Sequence, residues 1–309
     1  MRLRSNNPLA VRLGPLVLKN PVIMASGIFG YGDEMRHFLD YRCLGAIVTK
    51  TVTLQPWKGN PQPRLWETSA GMINAIGLQN VGLERFLEEK LPRLRRLGTI
   101  MIVSISGNTT REFCVLAETL ARQDVQALEL NISCPNLRFK KKMVATCPRL
   151  VLNLVKDVRR VFPRKCLLVK LSPNVTDITS IALAAEEGGA DGLTLINTVK
   201  ALAVDLEGRR LITGGLSGPA IKPVGLRCVY EVYRRVKLPL IGLGGILSGA
   251  DALDYILVGA SAVGIGSGFF SNPLLPQEVT RYLLGKVRQF QCRTLSEMVG
   301  IFNEKETGV

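Results

Sequence analysis

Apolar residues recur along the chain in short runs that are rich in β-branched residues. Eight runs of this kind occur, at residues 22–26, 46–50, 100–106, 127–133, 166–172, 192–198, 238–245 and 262–267. They show little alternation between apolar and polar positions, which is typical of strands buried on both faces. The pattern therefore predicts eight buried strands.

Helix-like segments lie between these runs, for example at residues 83–97, 110–123, 149–162 and 177–190. Eight alternations of strand and helix favour an α/β fold in which a parallel sheet closes into a (β/α)8 TIM barrel. A doubly wound open sheet is the alternative. Barrels of this length are commonly single domains, so one domain is expected over residues 1–309.

Polar residues and glycines concentrate where the predicted strands end. They are Ser26, Lys50, Ser106, Asn131 to Cys134, Lys170, Asn197 with Thr198, Gly244 with Gly245, and Gly266 with Ser267. In a barrel, the carboxyl ends of the strands carry the chemistry. Any one of these residues could serve a cap or a turn, but capping hardly explains all eight strand ends.

The charge and composition narrow the class of protein. The formal net charge is +15, with basic residues scattered along the chain as on solvated helix faces; attraction for anions is the alternative reading. No nucleic-acid motif accompanies it. The basic N-terminus has no apolar segment after it, and the longest uncharged run is short and rich in glycine. A cytoplasmic protein without a nucleic-acid or membrane partner is expected.

Cysteine and histidine usage limits the possible chemistry. The seven cysteines are widely spaced and form no C-x-x-C pair, so no zinc or iron–sulfur site is expected in this chain. The only histidine is His37, which argues against a Ser–His or Cys–His catalytic pair.

Two glycine clusters follow the last two predicted strands, at residues 242–246 and 264–268. Glycines there let backbone N–H groups approach an anion, so the pair favours a phosphate-bearing cofactor. Tight packing is the alternative for either cluster alone. Neither completes G-x-G-x-x-G, which excludes a Rossmann interpretation. Ser217 and Gly218 offer a further turn on the same face.

Two lysines and four asparagines suit a particular ligand chemistry. Lys50 and Lys170 each close an apolar strand, where burial without a partner is costly, so their ammonium groups should meet an anion or an electron-rich ring such as a reduced flavin. A lysine that reaches solvent is the alternative.

Amide side chains can hydrogen-bond both the C=O and the N–H groups of a pyrimidine-dione ring. For any one asparagine, an Asx turn is the alternative. The candidates are Asn74, Asn131, Asn136 and Asn197.

Cys134 lies at the tip of the fourth predicted strand, between two of these asparagines. A thiol has an ordinary pKa of about 8.5 and can take a proton from a carbon acid that is held close to it. A buried, inert thiol is the alternative, and it is the interpretation for Cys114, Cys166 and Cys228.

Several segments together resemble dihydroorotate dehydrogenases: NISCPN, GMINAIGLQNVG, VKLSPNVTDI, GLTLINT, GGLSGPAIKPVGLR, GLGGI and GASAVGIGSGFF. The likeness covers nearly the whole chain and is greatest to the catalytic subunit of the two-subunit, NAD-linked bacterial class. It implies an eight-fold barrel that holds one FMN per chain and oxidises (S)-dihydroorotate to orotate in pyrimidine (UMP) biosynthesis.

The resemblance also implies roles for individual residues. Cys134 is the base that removes the C5 proton, while hydride passes from C6 to FMN N5. The implied substrate-binding residues are Lys50, Asn74, Ile76, Gly77, Leu78, Asn131, Asn136, Asn197 and Thr198. The implied FMN-binding residues are Ala25, Ser26, Gly27, Lys50, Asn131, Lys170, Ile196, Ser217, Gly218, Gly244, Gly245, Gly266 and Ser267.

The same resemblance implies partners. A homodimer is expected, joined by an electron-transfer subunit that carries FAD and an iron–sulfur cluster and passes electrons to NAD, giving a heterotetramer. Fumarate as acceptor of a simple dimer is the alternative. The membrane-linked class uses a serine base and an N-terminal extension, and Cys134 and the short N-terminus argue against it.

One region departs from the family pattern. The active-site lid, residues 137–150, has lysines in place of the usual glycines and Cys147 in place of an acid, and Lys200-Ala201 replaces a common glycine and methionine. Three lysines near an anionic substrate could aid its capture. Two other functions stay open: a related FMN-dependent pyrimidine reductase, and a flavin-binding paralogue with impaired turnover.

Overall fold

A computed structural model describes residues 7–32, 34–35, 38–133, 138–139 and 142–303 of the chain. Its strands are β1 Val11–Leu13, β2 Leu16–Leu18, β3 Val22–Met24, β4 Ala46–Val48, β5 Leu65–Thr68, β6 Gly71–Asn74, β7 Ile100–Ile105, β8 Ala127–Asn131, β9 Arg138–Phe139, β10 Lys142–Met143, β11 Cys166–Lys170, β12 Gly192–Leu195, β13 Val199–Asp205, β14 Arg210–Ser217, β15 Leu240–Leu243 and β16 Ala262–Ile265.

Its α-helices are α1 Gly82–Arg85, α2 Leu91–Leu94, α3 Thr110–Ala121, α4 Pro148–Val161, α5 Ile178–Glu187, α6 Lys222–Tyr233, α7 Gly249–Leu257, α8 Gly268–Ser271 and α9 Leu275–Gln289. A π-helical turn, Phe86–Lys90, joins α1 to α2. Short 3-10 turns occupy Tyr41–Cys43, Val144–Thr146, Pro219–Ile221 and Leu295–Met298. Within the described part of the chain, no helix is long and apolar enough to cross a membrane.

Eight parallel strands close into one barrel in the order β11-β12-β15-β16-β3-β4-β7-β8. Each of them coincides with one of the eight apolar runs in the sequence, so the TIM-barrel prediction is confirmed and the open doubly wound sheet is wrong. Their side chains are almost completely buried because the interior covers one face and the surrounding helices cover the other.

The helices dock on the barrel through one apolar face. In α4 the buried residues are Val151, Leu154, Val155 and Val158, which recur at the three- and four-residue spacing of a helix face. Side-chain caps fix where several helices begin: Thr109 accepts from the Glu112 N–H before α3, and Ser248 accepts from the Asp251 N–H before α7.

A four-stranded antiparallel sheet, in the order β13-β14-β6-β5, was not predicted. Its strands come from the segment between β4 and α1 and from the segment between β12 and α6. Both segments leave the barrel at the carboxyl ends of their strands, so the sheet adds structure at the face where the chemistry is expected. It places Asn74 directly opposite Gly215.

The amino end of the barrel is closed by the β1–β2 hairpin and an ion pair. The Arg159 guanidinium donates to Asp191 and to three backbone carbonyl groups, and the Asp191 carboxylate also accepts from the Leu167 N–H at 2.8 Å. Gly14 of the hairpin lies against Asp191, and a Cβ on Gly14 would come within 2.5 Å of the Asp191 Cβ. This network therefore joins α4, β11 and the hairpin.

Replacing Arg159 should destabilise the fold. Arg159→Ala would leave Asp191, only 26% exposed, without its ion-pair partner and would remove three donors to carbonyl groups. We expect the free energy of unfolding to fall by about 2 kcal/mol. Arg160→Ala is the matched control: its partner Asp157 is solvent-exposed, and a change within about 0.5 kcal/mol is expected. Equal losses in urea unfolding would contradict the role given to Arg159.

Candidate active site at the carboxyl face of the barrel

A hydroxyl group at the centre of the carboxyl face connects three strands. Thr51 follows β4, and its Oγ1 lies 3.0 Å from the Ser104 Oγ of β7. The same oxygen accepts from the Asn131 Nδ2 of β8 at 3.1 Å. Ser26 Oγ, after β3, lies 3.5 Å away and donates to the Thr49 carbonyl at 2.8 Å. The sequence pattern identified Asn131 and Ser26, but not the threonine that joins them.

This network continues to the sixth barrel strand. Ser133 Oγ donates to the Asn131 Oδ1 at 3.0 Å, and the Asn197 Nδ2 donates to the Ser133 Oγ. The Asn197 Oδ1 accepts from the Thr198 N–H at 2.8 Å. The structure therefore brings together three of the predicted substrate residues, and their amide orientations are fixed by hydrogen bonds.

Asn174 is a second connection that the sequence analysis missed. Its Nδ2 donates to the Thr198 carbonyl at 3.0 Å and to the Ser172 Oγ at 3.1 Å, and its Oδ1 accepts from the Lys200 N–H at 2.8 Å. These bonds join the segment after β11 to the start of β13. The signal in the sequence was the Asn in VKLSPNVTDI, which directly follows the predicted strand.

The added sheet supplies the next group of predicted residues. The Asn74 Nδ2 donates to the Gly215 carbonyl at 3.1 Å across the β6–β14 pair. Ile76, Gly77 and Leu78 follow in a tight turn, with φ of 72° at Gly77 and 56° at Leu78. A Cβ on Gly77 would lie 2.7 Å from the Asn60 side chain, so this turn requires glycine there.

Of the two predicted lysines, Lys170 is buried and Lys50 is half-buried. Lys170 is 7% exposed, and within the described residues its ammonium makes no hydrogen bond or salt bridge. Lys50 is half-buried and likewise has no side-chain partner there. Burial lowers the pKa of the Lys50 ammonium; the nearby Glu34 carboxylate opposes this shift and the Arg64 guanidinium adds to it. Both groups would gain from a bound anion.

Glycines at the ends of β14 and β15 form a close pair of loops. Gly218, Gly244 and Gly245 all have positive φ, at 99°, 129° and 67°. A Cβ on Gly245 would lie 2.9 Å from the Gly218 carbonyl oxygen, so the two loops pack with no room for a side chain. Tyr255 of α7 donates from its hydroxyl to the Gly244 carbonyl at 2.8 Å. Burial raises the pKa of Tyr255, so this hydroxyl stays protonated as a donor.

In contrast, the glycines at the ends of β3 and β16 face open space. A Cβ on Gly27 would meet no atom within 4 Å, and one on Gly266 would meet only Leu243 Cδ1 at 3.8 Å. The Ala25 N–H donates to the Ile265 carbonyl at 2.9 Å, which joins the two strand ends. Among the described residues, no side chain therefore packs closely against either Gly27 or Gly266 at the carboxyl face.

The other predicted cofactor residues have described positions. Ile196 is buried, and its N–H donates to the Leu243 carbonyl at 3.0 Å. Ser217 Oγ donates to the Met72 carbonyl at 3.4 Å, and Ser267 directly precedes α8. Each therefore lies at or just beyond the carboxyl end of a strand.

Three predicted or discussed residues lie outside the described residues: Cys134, Asn136 and His37. The segment that follows Cys134 contains the short antiparallel pair β9–β10, in which Phe139 pairs with Lys142. Cys147 is half-buried at the position just before α4, and its side chain makes no capping hydrogen bond.

Comparison with known proteins agrees with this geometry. The family model described as dihydroorotate dehydrogenase matches residues 8–286. The chain belongs to the dihydroorotate dehydrogenase family. This is a family of flavin-dependent oxidoreductases built on the barrel described above.

Individual relatives match over nearly their full length. The chain is 46% identical to a protein of Alkaliphilus metalliredigens over 94% of this chain and 98% of the relative. It is 48% identical to one of Geobacter sulfurreducens over 89% and 93%, and 44% identical to one of Bacteroides thetaiotaomicron over 94% and 98%. All three are named "Dihydroorotate dehydrogenase B (NAD(+)), catalytic subunit".

Replacing Thr51 should lower the free energy of unfolding more than replacing a threonine that makes a single local hydrogen bond. Thr51→Val would keep the shape of the side chain but leave Ser104 and the Asn131 amide without their shared partner. We expect the free energy of unfolding to fall by about 2 kcal/mol, measured in urea. In the control Thr280→Val, only a helical hydroxyl-to-carbonyl bond is lost, and a change within about 0.5 kcal/mol is expected. Similar losses in both variants would refute the connecting role.

Proposed function

We propose that this chain oxidises (S)-dihydroorotate to orotate in pyrimidine biosynthesis, with FMN as its cofactor. The observation that carries the proposal is the chain of hydrogen bonds from Thr51 through Asn131 and Ser133 to Asn197. It lies beside Lys170, whose ammonium has no hydrogen-bonding partner among the described residues. Neutral amides arranged in this way suit a pyrimidine-dione ring, and the ammonium suits an electron-rich flavin.

The residues present fit FMN. The space beside Gly27 and beside Gly266 would admit part of a planar ring system, and the glycine loops at Gly218, Gly244 and Gly245 would let backbone N–H groups approach a phosphate. Gly244 and Gly245 follow β15, the seventh barrel strand, and TIM barrels usually hold phosphate at the loops after the seventh and eighth strands. Ser217 and Ser267 would add hydroxyl donors, and Lys170 would lie near the N1 edge of the ring.

The substrate would lie against the amide network. Asn131, Asn197 and Asn74 would hydrogen-bond the ring, together with Asn136 and Thr198, while the backbone at Ile76, Gly77 and Leu78 would border it. Dihydroorotate also carries a carboxylate. Lys50, whose pKa is lowered by burial, would gain from an anion beside it and would serve both ligands.

Cys134 is the proposed general base that takes the proton from C5 of the substrate. It follows Ser133, whose hydroxyl is fixed between Asn131 and Asn197. When bound, FMN supplies the hydride acceptor. A base needs its proton donor within about 3 Å, and the neighbouring amide network would hold the ring in place for that transfer.

The electrons would leave through a second protein. The relatives' names describe a catalytic subunit and NAD(+), which implies another subunit in those proteins. We propose a homodimer of this chain joined by a subunit that carries FAD and an iron–sulfur cluster. Alone, the purified chain should then reduce NAD slowly; rapid reduction would instead favour a self-sufficient dimer and a different acceptor.

Anaerobic stopped-flow mixing of the FMN-loaded chain with dihydroorotate tests the proposal. Loss of the oxidised flavin absorbance within the turnover time supports it. Bleaching by NADPH followed by reoxidation with uracil would identify a pyrimidine reductase instead. Stable flavin that reacts with neither substrate would identify a binding protein, in which the lysine-rich lid segment serves another role.

Replacing the proposed base should slow flavin reduction without unfolding the barrel. For Cys134→Ala we expect the rate of flavin reduction to fall by two or more orders of magnitude, because a general base is lost. The wild-type rate should rise with pH as the thiol ionises, and Cys134→Ser should be slower than wild type. Cys147→Ala is the control on the same segment and should leave the rate nearly unchanged. The reverse result would move the chemistry to Cys147.

Gly266→Ala should separate cofactor binding from folding. Among the described residues the added methyl group meets only Leu243, at 3.8 Å, but it enters the space assigned to FMN. We expect FMN affinity to fall at least tenfold while the unfolding midpoint of the apoprotein stays within about one degree of wild type. Gly264→Ala is the control, because its methyl group would press on Leu243 at 3.1 Å and act on the fold instead. Unchanged FMN affinity in Gly266→Ala would place the cofactor elsewhere.

A further inference from the structure

A carboxylate with an incomplete set of partners lies in the barrel. Glu129 of β8 is 1% exposed. Its Oε2 accepts from the Thr194 Oγ1 at 2.9 Å, while its Oε1 has no hydrogen-bond partner among the described residues. Buried polar atoms without partners are rare because their desolvation is not compensated. A charge at this position therefore calls for a physical reason.

The strand register places this carboxylate in the same lining as Lys170. Asn131 faces the barrel interior, since it bonds to Thr51 across the intervening strand β7. Glu129 comes two residues earlier on the same strand and so faces the interior as well. Lys170 pairs in register with both Asn131 and Thr194. These side chains form one side of the interior, with Lys170 one layer nearer the cofactor than Glu129.

Glu129 and Lys170, whose ionised forms carry opposite charges, are both buried. No salt bridge of 4 Å or less joins Glu129 to Lys170 in the described structure. The register and ordinary strand spacing put their Cα atoms on the order of 8 Å apart. Opposite charges carried by neighbouring strands interact far more strongly in a protein interior than in water.

Among the described residues, no other buried charged side chain lies in this part of the barrel interior. Among the described residues, one further charged side chain is as buried, Asp205. It lies in the β13–β14 hairpin and pairs with Arg210 at 2.8 Å. The carboxylate of Glu129 is therefore the buried counter-charge available to Lys170 from this part of the barrel.

We propose that Glu129 is a positioning residue for the flavin chemistry: its negative charge offsets the positive charge that Lys170 presents to FMN, and so lowers the reduction potential of the cofactor. The inference rests on the proposed function for the position of FMN above Lys170. NAD is a weak oxidant, so a flavin that supplies electrons to it benefits from a counter-charge that disfavours the anionic reduced ring.

The test is the midpoint potential of FMN in Glu129→Gln, measured by equilibration with a reference dye. We expect reduced FMN to bind about tenfold more tightly relative to oxidised FMN than in wild type, which for a two-electron couple is a positive shift of about 30 mV. Asp191→Asn is the control: it removes a negative charge from the amino end of the barrel and should leave the potential unchanged. An unshifted potential in Glu129→Gln, or equal shifts in both variants, would overturn the proposal.

A second measurement uses the apoprotein and needs no bound flavin. Lys170→Met leaves Glu129 as an uncompensated buried charge, so the urea midpoint should fall, and adding Glu129→Gln to that variant should raise it again. A double variant no more stable than Lys170→Met would overturn the electrostatic pairing. Wild type, the two single variants and the double variant together form a double-mutant cycle, whose interaction free energy measures the coupling. If the chain binds no FMN at all, the proposed function fails, while this cycle still decides whether the two charges are coupled.

Discussion

The polar side chains buried at the carboxyl end of the barrel must hydrogen-bond to one another, because a buried polar group without a partner loses its bonds to water uncompensated. The candidate site depends on this constraint. Thr51 accepts from Asn131, Asn131 accepts from Ser133, and Ser133 accepts from Asn197. The bonds of Asn131 to Thr51 and of Asn197 to Ser133 join residues from different segments, so the closed barrel is what brings these partners together. The resulting amide orientations are fixed before any ligand arrives, which favours specific binding.

The antiparallel sheet joins the proposed phosphate-binding loops to the proposed substrate-binding residue Asn74. Gly218 contacts Gly71 so closely that a Cβ on Gly218 would lie 2.6 Å from the Gly71 Cα, and the Gly218 carbonyl packs against Gly245. On the same sheet, Asn74 bonds to Gly215. The proposed phosphate loops and the proposed substrate amide are thus held by one set of strands. A displacement of β14 would therefore move both the proposed phosphate loops and the proposed substrate amide. Glycines occupy these contacts because the backbones approach too closely for a side chain.

The barrel could be predicted from the sequence because strands buried on both faces give continuous apolar runs, and the ends of these runs gave Lys170, Asn131 and Asn197. The added sheet could not, because Leu202 and Val204 of β13 are apolar yet solvent-exposed and so obscure the alternation of an exposed strand. Thr51, Ser104, Asn174, Tyr255 and Glu129 were missed for another reason. Their roles come from contacts between segments far apart in sequence, which no local pattern records.

Lys50 and Lys170 suit anionic ligands, but their buried ammonium groups lower the stability of the folded protein when no anion is bound. Lys50 is half-buried and Lys170 is 7% exposed, and neither ammonium has a hydrogen-bonding partner within the described residues, so both lack a direct anionic partner there. A ligand that supplies the missing negative charge binds the folded state alone and stabilises it by mass action. Binding energy at this site therefore comes partly from relief of a cost built into the fold. The counter-charge at Glu129 limits that cost without neutralising the surface that faces the cofactor.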